Sequence, residues 1–290
     1  MAITCPRCGA GFNATLFQFG HRVRCSCGAE ISYPGADLRG GHMATDLALL
    51  RKVRPMTEGM HTVVFGRFKP TIFEFLEELA DNNNRPWFQE NKERYERDVL
   101  EPAMAFIRAF RPQLKRLSSF FVASDRRVGG SLMRVYRDTR FAKDGEPYKT
   151  NVGIQFRHEQ GRDIHAPGFY VHIAPNECFL AVGLWRPDPM ALGHIRQAIV
   201  EWPDHWKRAR DGKKFRERFS LDGDSLKRPP RGFPADHPCI EDLKRTDFIG
   251  VEALEEKDVL GKGFLDYVAA SFAASRPFMR FLCDALKVPF

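Results

Sequence analysis

The apolar residues of this chain change their period partway along it, and that change narrows the folds open to it. Ile72, Phe75, Leu76 and Leu79 recur at helical spacing, as do Trp87, Asn91, Tyr95 and Val99, then Met104, Ile107, Phe110, Leu114 and Leu117. Farther on the spacing is that of strands. Leu132, Val135 and Tyr136 read as one strand and Val152, Ile154 and Phe156 as another. Residues 169–173 and 179–185 read as two more, joined by a turn at Pro175 and Asn176. Helical spacing returns with Leu192, Ile195 and Ile199 and in a long C-terminal helix over 264–286. Helices at both ends around a largely antiparallel sheet make an α+β domain.

Breakers place the boundaries. Pro70 and Thr71 open the first helix and Asn82, Asn83 and Asn84 close it, with a second helical region starting near Pro86. Pro102 and Pro112 are expected to divide the stretch from Met104 to Leu117 and its approach into separate helical pieces. Hydrophobic residues make up 43% of the 290, with 25 Phe, which is ample for a globular core.

The net charge of +8 is concentrated. Residues 111–162 hold 12 Lys or Arg against 5 Asp or Glu, and residues 207–231 hold 10 against 4. These segments either meet as one basic face or point into solvent separately. Such a balance permits nucleic acid or phosphorylated ligands as partners without choosing between them. No run approaches the roughly 18 apolar residues of a membrane span, and the N-terminus lacks an apolar signal core, so no membrane partner and a cytoplasmic location are expected.

Four of the seven cysteines sit at metal-ligand spacing. Cys5 and Cys8 form one pair and Cys25 and Cys27 a second, each pair followed by a glycine, Gly9 and Gly28. Four thiolates make a closed tetrahedral site, so a structural Zn2+ is expected in a small N-terminal ribbon, residues 1–35. A module that short folds only with its metal. Rubredoxin-like iron and a redox Cys-x2-Cys are the competing readings. Residues 36–66 read as a linker rich in Gly and polar residues, interrupted by a short helix near Leu47, and residues 67–290 as the α+β domain.

The segment from 134 to 150 carries the densest chemistry. Arg134, Arg137, Arg140, Lys143 and Lys149 stand beside Asp138, Asp144 and Glu146, between two expected strands. Guanidinium groups bind phosphate or carboxylate in bidentate fashion and lysines add mobile point charges, so this loop suits an anion. Tyr148 belongs to the same candidate site. The competing reading pairs Asp138 and Asp144 with the arginines as an internal salt-bridge network; together the two carboxylates would also suit a divalent cation. Tyr136, Tyr148, Tyr170 and Trp185 are available to stack on a ligand ring or to pack the core. His165 and His172 fit a general base near neutral pH, although a lone strand histidine is usually structural.

These residues bear a resemblance. Asn82, Asn83, Trp87, Phe88, Lys92 and Tyr95, then Arg137-Asp138-Thr139-Arg140-Phe141-x-Lys143-Asp144 and Pro147-Tyr148-Lys149-Thr150, resemble a widespread family catalogued as domain of unknown function 2461. Gly183-x-Trp185-x-Pro187 and Ile195-Arg196 fit as well, so the resemblance spans residues 68–287. It implies a common fold and a shared site and brings no established activity. Gly145-Glu146 departs from the family pattern, where another Lys often stands, which implies a weaker anion site here.

Three function classes are open to such a chain. The charge pattern favours polyanion binding, to nucleic acid or a phosphorylated ligand, through the basic loop, with the ribbon assisting or docking a protein partner. The alternatives are an enzyme acting on a phosphorylated or carboxylated substrate in that loop, and a scaffold whose basic motif is internal.

Overall fold

The computed structural model describes residues 65–137, 146–161 and 166–290, together with Arg7 and four short strands nearer the N-terminus. The chain divides into two units, Met1–Met60 and His61–Phe290. In the first, β1 (Ala2–Thr4) pairs antiparallel with β2 (Gly11–Asn13), and β3 (Val23–Arg24) with β4 (Glu30–Ile31). The structure corrects the expectation of a structural Zn2+. Among the described residues no group of three or more His, Cys, Asp or Glu could hold a metal ion, and Cys5, Cys8, Cys25 and Cys27 lie outside the described residues.

In the second unit, α1 (Thr71–Asp81) presents Ile72, Phe75, Leu76 and Leu79 to the interior, as their spacing requires. The side chain of Asn84 caps α2 (Arg85–Glu90) by accepting from the Trp87 amide at 3.0 Å. A short α3 (Lys92–Tyr95) runs through a π-helical turn over Glu96–Leu100 into α4 (Glu101–Leu117). Pro102 sits in the first turn of α4, but Pro112 does not break it and lies inside the helix. Pro112 is on the solvent side, where water can satisfy the carbonyl that loses its amide partner.

The strands β5 (Phe121–Val122), β6 (Val152–His158), β7 (Gly168–Ala174), β8 (Glu177–Leu184), β9 (Ser220–Asp222) and β10 (Phe248–Leu254) form one open antiparallel sheet, ordered β5-β6-β7-β8-β10-β9. Among the described residues, the expected strand at 132–136 appears only as two isolated bridges, Leu132 to Ile154 and Tyr136 to Tyr148. Leu132, Val135 and Tyr136 lack a continuous partner along their length and so do not form a ladder.

The remaining helices are α5 (Pro189–Glu201), α6 (Pro203–Asp211), α7 (Lys213–Arg216), α8 (Ile240–Lys244), α9 (Glu256–Val259), α10 (Phe264–Ala274) and α11 (Arg276–Ala285). The single C-terminal helix expected over 264–286 is two, divided at Ser275. Pro277 lies in the first turn of α11, and the Ser275 hydroxyl donates to the Phe272 carbonyl at 2.8 Å.

Strand alternation sorts the sheet into two faces. Ile154, Phe156, Phe169, Val171, Ile173, Leu180, Val182, Leu184 and Phe248 are all buried on one of them. Phe110 of α4 stacks on Phe156 at 4.9 Å, Phe272 of α10 meets Phe169 at 4.8 Å, and Trp206 of α6 meets Phe248 edge-on at 5.8 Å. One charged residue of β10 also points to this face. Glu252 accepts from the Tyr267 hydroxyl at 2.6 Å and from Arg218 at 3.2 Å, while Arg218 also donates to the Ser271 hydroxyl at 2.7 Å and lies over the Tyr267 ring. Arg210 pairs with the buried Asp242 and Arg196 donates to the Arg245 carbonyl at 3.0 Å. Cations and carboxylates are thus drawn inward into ion pairs.

Removing one member of a buried pair leaves the other charge uncompensated. Arg218→Met is expected to lower unfolding free energy by about 3 kcal/mol in urea titration; a loss below about 1 kcal/mol, the scale of an exposed pair, would contradict this role.

Candidate functional site

The described part of the 134–150 segment is tied into the fold. Tyr148 is buried and stacks on Phe88 with ring centroids 4.0 Å apart. The Asn83 side chain grips its backbone on both sides, donating to the Tyr148 carbonyl at 3.0 Å and accepting from its amide at 3.1 Å. Two such bonds and the stack are together worth a few kcal/mol, on the order of 1 kcal/mol each. Arg137 pairs with Glu146 at 2.6 Å.

Arg134 and Lys149 are neighbours with no ion-pair partner among the described residues; burial first, and the charge of Arg134 second, push the Lys149 pKa below its ordinary value. Asp138, Arg140, Lys143 and Asp144 lie outside the described residues, as does His165. Of the expected site, the structure brings together Arg137 with Glu146 and Arg134 with Lys149, and turns Tyr148 into the core. Among the described residues the basic motif fits an internal ion-paired element better than an open anion-binding loop.

A concavity lies elsewhere, on the second face of the sheet. Strand register sets three rows across this face. Gly153, His172, Phe179 and Ala253 form one; Gln155, Tyr170, Ala181, Val251 and Ser220 the next; Arg157, Gly168, Gly183, Ile249 and Asp222 the third. Gly168, Ala181 and Gly183 have little or no side chain, so the middle of the face is low and its flanks are high. The result is a trough of about 980 Å³ walled by residues that include Tyr170, His172, Phe179, Trp185, Ile249 and Val251.

Backbone geometry supports this shape. Gly183 has φ +115°, and a β-carbon there would collide with the Phe248 carbonyl oxygen, so that position admits only glycine without strain. At the end of β8, Arg186 adopts φ +48° and its amide donates to the buried Asp247 carboxylate at 2.6 Å. This bond fixes the turn that leaves Trp185 exposed beside the trough, with the Arg186 guanidinium 4.7 Å over its ring.

The charges along the trough run against the charge of the whole chain. Among the described lining residues Glu177, Asp188 and Asp222 stand with Arg157, whose Nε donates to the Gln155 side chain at 2.9 Å. In a protein of net charge +8 this is a locally acidic site. In its wall His172 Nδ1 lies 3.0 Å from the Tyr170 hydroxyl, and the His172 ring stacks on Phe179 at 4.5 Å and 7°. Burial lowers the His172 pKa from 6.5 more than the nearby Glu177 raises it, and burial pushes the Tyr170 phenol up to about 12. Both groups are neutral at pH 7.

The other candidates are structural. His158 is buried, with Nε2 2.8 Å from the Pro289 carbonyl and Nδ1 accepting from the Gln160 amide. Cys178, Cys239 and Cys283 are buried thiols, and burial raises the pKa of each. Of the four aromatics considered for one region, Tyr170 and Trp185 line the trough, whereas Tyr136 packs against Tyr148 at 5.5 Å. Sequence reasoning missed the trough floor and β10. The alternation of Phe248, Gly250 and Glu252 against Ile249, Val251 and Ala253, together with the small residues of β7 and β8, was the available signal.

The molecule is thus an α+β protein whose antiparallel sheet has one face packed on helices and the other hollowed into a trough. A family model described as conserved hypothetical protein (DUF2461) matches residues 71–281, and the chain belongs to that family. No curated protein and no solved structure matches it. Among the described residues no helix is long and apolar enough to cross a membrane.

The lowered His172 pKa has a pH signature. The unfolded chain takes up this proton near pH 6.5 and the folded chain only at lower pH, so the contribution to stability is complete above about 6.5 and is lost as pH falls through the folded value. His172→Phe should make the melting temperature less sensitive to acid below about pH 6.5. An unchanged acid slope would contradict this assignment.

Proposed function

We propose that the trough on the second sheet face is the binding site of this protein, that it takes a small uncharged or cationic molecule with a flat apolar portion, and that the described part of the 134–150 segment, residues 134–137 and 146–150, serves the structure of the fold. The observation that carries this reading is the trough's lining: low residues between aromatic and aliphatic walls, with three carboxylates and one guanidinium among the described residues. Coulomb repulsion disfavours a polyanion at such a surface, while amines and hydroxyls find acceptors there.

A second reading keeps a small anion on the basic segment, because Arg134 and Lys149 stand together with no carboxylate partner among the described residues. A phosphorylated or carboxylated ligand would relieve their repulsion. This reading concerns a single small anion, since Arg137 is engaged with Glu146.

One thermal-shift screen separates the two. Wild type, Ala181→Phe, which fills the trough floor, and Lys149→Gln are compared against neutral, cationic and phosphorylated small molecules. A ligand present at about 100 times its Kd adds about 2.7 kcal/mol, a rise of roughly 5–10 °C for a domain of this size. Neutral or cationic compounds should stabilise wild type and Lys149→Gln and lose their effect in Ala181→Phe. Stabilisation by phosphorylated compounds that survives Ala181→Phe and disappears in Lys149→Gln would overturn the trough reading in favour of the second.

A further inference from the structure

We infer that His172, held by Tyr170, is the specificity-determining hydrogen-bond donor of the trough and presents its Nε2–H to a carbonyl or other acceptor atom of the ligand. The inference rests on the trough being the binding site and adds which chemistry that site selects.

The hydrogen-bond partners of the two side chains lead to this assignment. Tyr170 Oη lies 3.0 Å from His172 Nδ1, and this is the one side-chain bond that the phenol makes among the described residues. A phenol that keeps its proton has to place it, and Nδ1 is the acceptor within reach. Nδ1 then carries no hydrogen, so in a neutral imidazole the proton sits on Nε2. Among the described residues Nε2 has no partner, and the ring borders the trough. A half-buried N–H on a ring that borders a cavity asks for an acceptor that water or a ligand can supply.

The ring is not free to turn away. Its stack on Phe179 at 4.5 Å and 7° fixes its plane, and the Tyr170 bond fixes its rotation. Tyr170 in turn depends on Gly153 of β6, because a β-carbon at Gly153 would come within 2.7 Å of the phenol oxygen and 2.9 Å of Met133 Sδ. Among the described residues, those that face His172 are Tyr170 on its own strand, Phe179 and Glu177 on β8, and Gly153 on β6, and of these Glu177 is the charged one. With the Glu177 and Asp222 carboxylates also lining the trough, the favoured ligand joins a flat ring to an acceptor at one end and amine or hydroxyl donors at the other.

The test uses the full chain and two isosteric probes. Benzamide carries a carbonyl acceptor beside its ring, whereas benzamidinium carries only donors. Long-range 1H–15N spectra of histidine-labelled protein at neutral pH, with the His172 signal identified by its loss in His172→Phe, should show Nδ1 bare and Nε2 protonated. Tyr170→Phe and Gly153→Ala should both mix the two tautomers. In NMR titrations His172→Phe, which preserves the stack on Phe179, should weaken benzamide by roughly 2- to 10-fold, the range of one neutral hydrogen bond, and change benzamidinium by less than about 2-fold. A protonated Nδ1 in wild type, or equal loss of both probes in His172→Phe, would overturn the donor assignment while leaving the trough as the site. Failure of both probes to shift any trough resonance would overturn the trough reading itself, and the inference with it.

Discussion

The packing of one sheet face against helices is the constraint on which the rest of this structure depends. Along β7 the buried residues are Phe169, Val171 and Ile173, and along β8 they are Cys178, Leu180, Val182 and Leu184. Because side chains alternate, each of these fixes its neighbour on the other side: Tyr170 and His172, Phe179 and Ala181. A slip of one residue in β7 would drive Tyr170 and His172 into the phenylalanine core and bring Phe169 and Val171 out. The apolar contacts of Phe110, Phe272 and Trp206 with the sheet therefore set the register of the site, although none of them lines it.

Polar groups complete what that packing begins. Asp247 is buried and holds the turn after β8 through the Arg186 amide, and it also accepts from the Asp224 amide at 3.0 Å, so one carboxylate joins the segments that follow β8 and β9, the two neighbours of β10. Gly223, with φ +98°, leaves room for the Asp247 side chain where any larger residue would press on it. At the opposite side Gly153 makes space for Tyr170 and Met133. The trough is bounded by elements held in place by hydrogen bonds and core contacts, an arrangement suited to a ligand of definite shape.

Much of the fold was legible because apolar period is a strong local signal. Ile72 through Leu79 predicted α1, and Val152 to Phe156 predicted β6, since each buries a continuous stripe or face. The errors arose where tertiary context overrode local preference. Pro112 is tolerated within α4 because it faces solvent, and Pro277 starts a new helix within what reads as one apolar period. The basic segment drew attention because charge density is conspicuous in a sequence, yet its Arg137 is paired with Glu146 nine residues away and its Tyr148 lies in the core. The trough was hidden for the opposite reason. Its floor is made of Gly168, Ala181 and Gly183, residues with little chemistry of their own, which matter only when two strands bring them side by side. His172 was visible as a strand histidine, but its Tyr170 partner two residues away and its stack on Phe179 come from β pairing and rotamer choice.

The most direct test of the trough as the binding surface is backbone amide shift mapping of the full chain against a fragment set of neutral, cationic and anionic members. Binding in the trough predicts that neutral and cationic fragments perturb Gln155, Tyr170, His172, Phe179, Ala181 and Ile249 together, across three neighbouring rows of the sheet. Perturbations confined to anionic fragments and centred on Arg134 and Lys149, with the trough resonances unmoved, would contradict it.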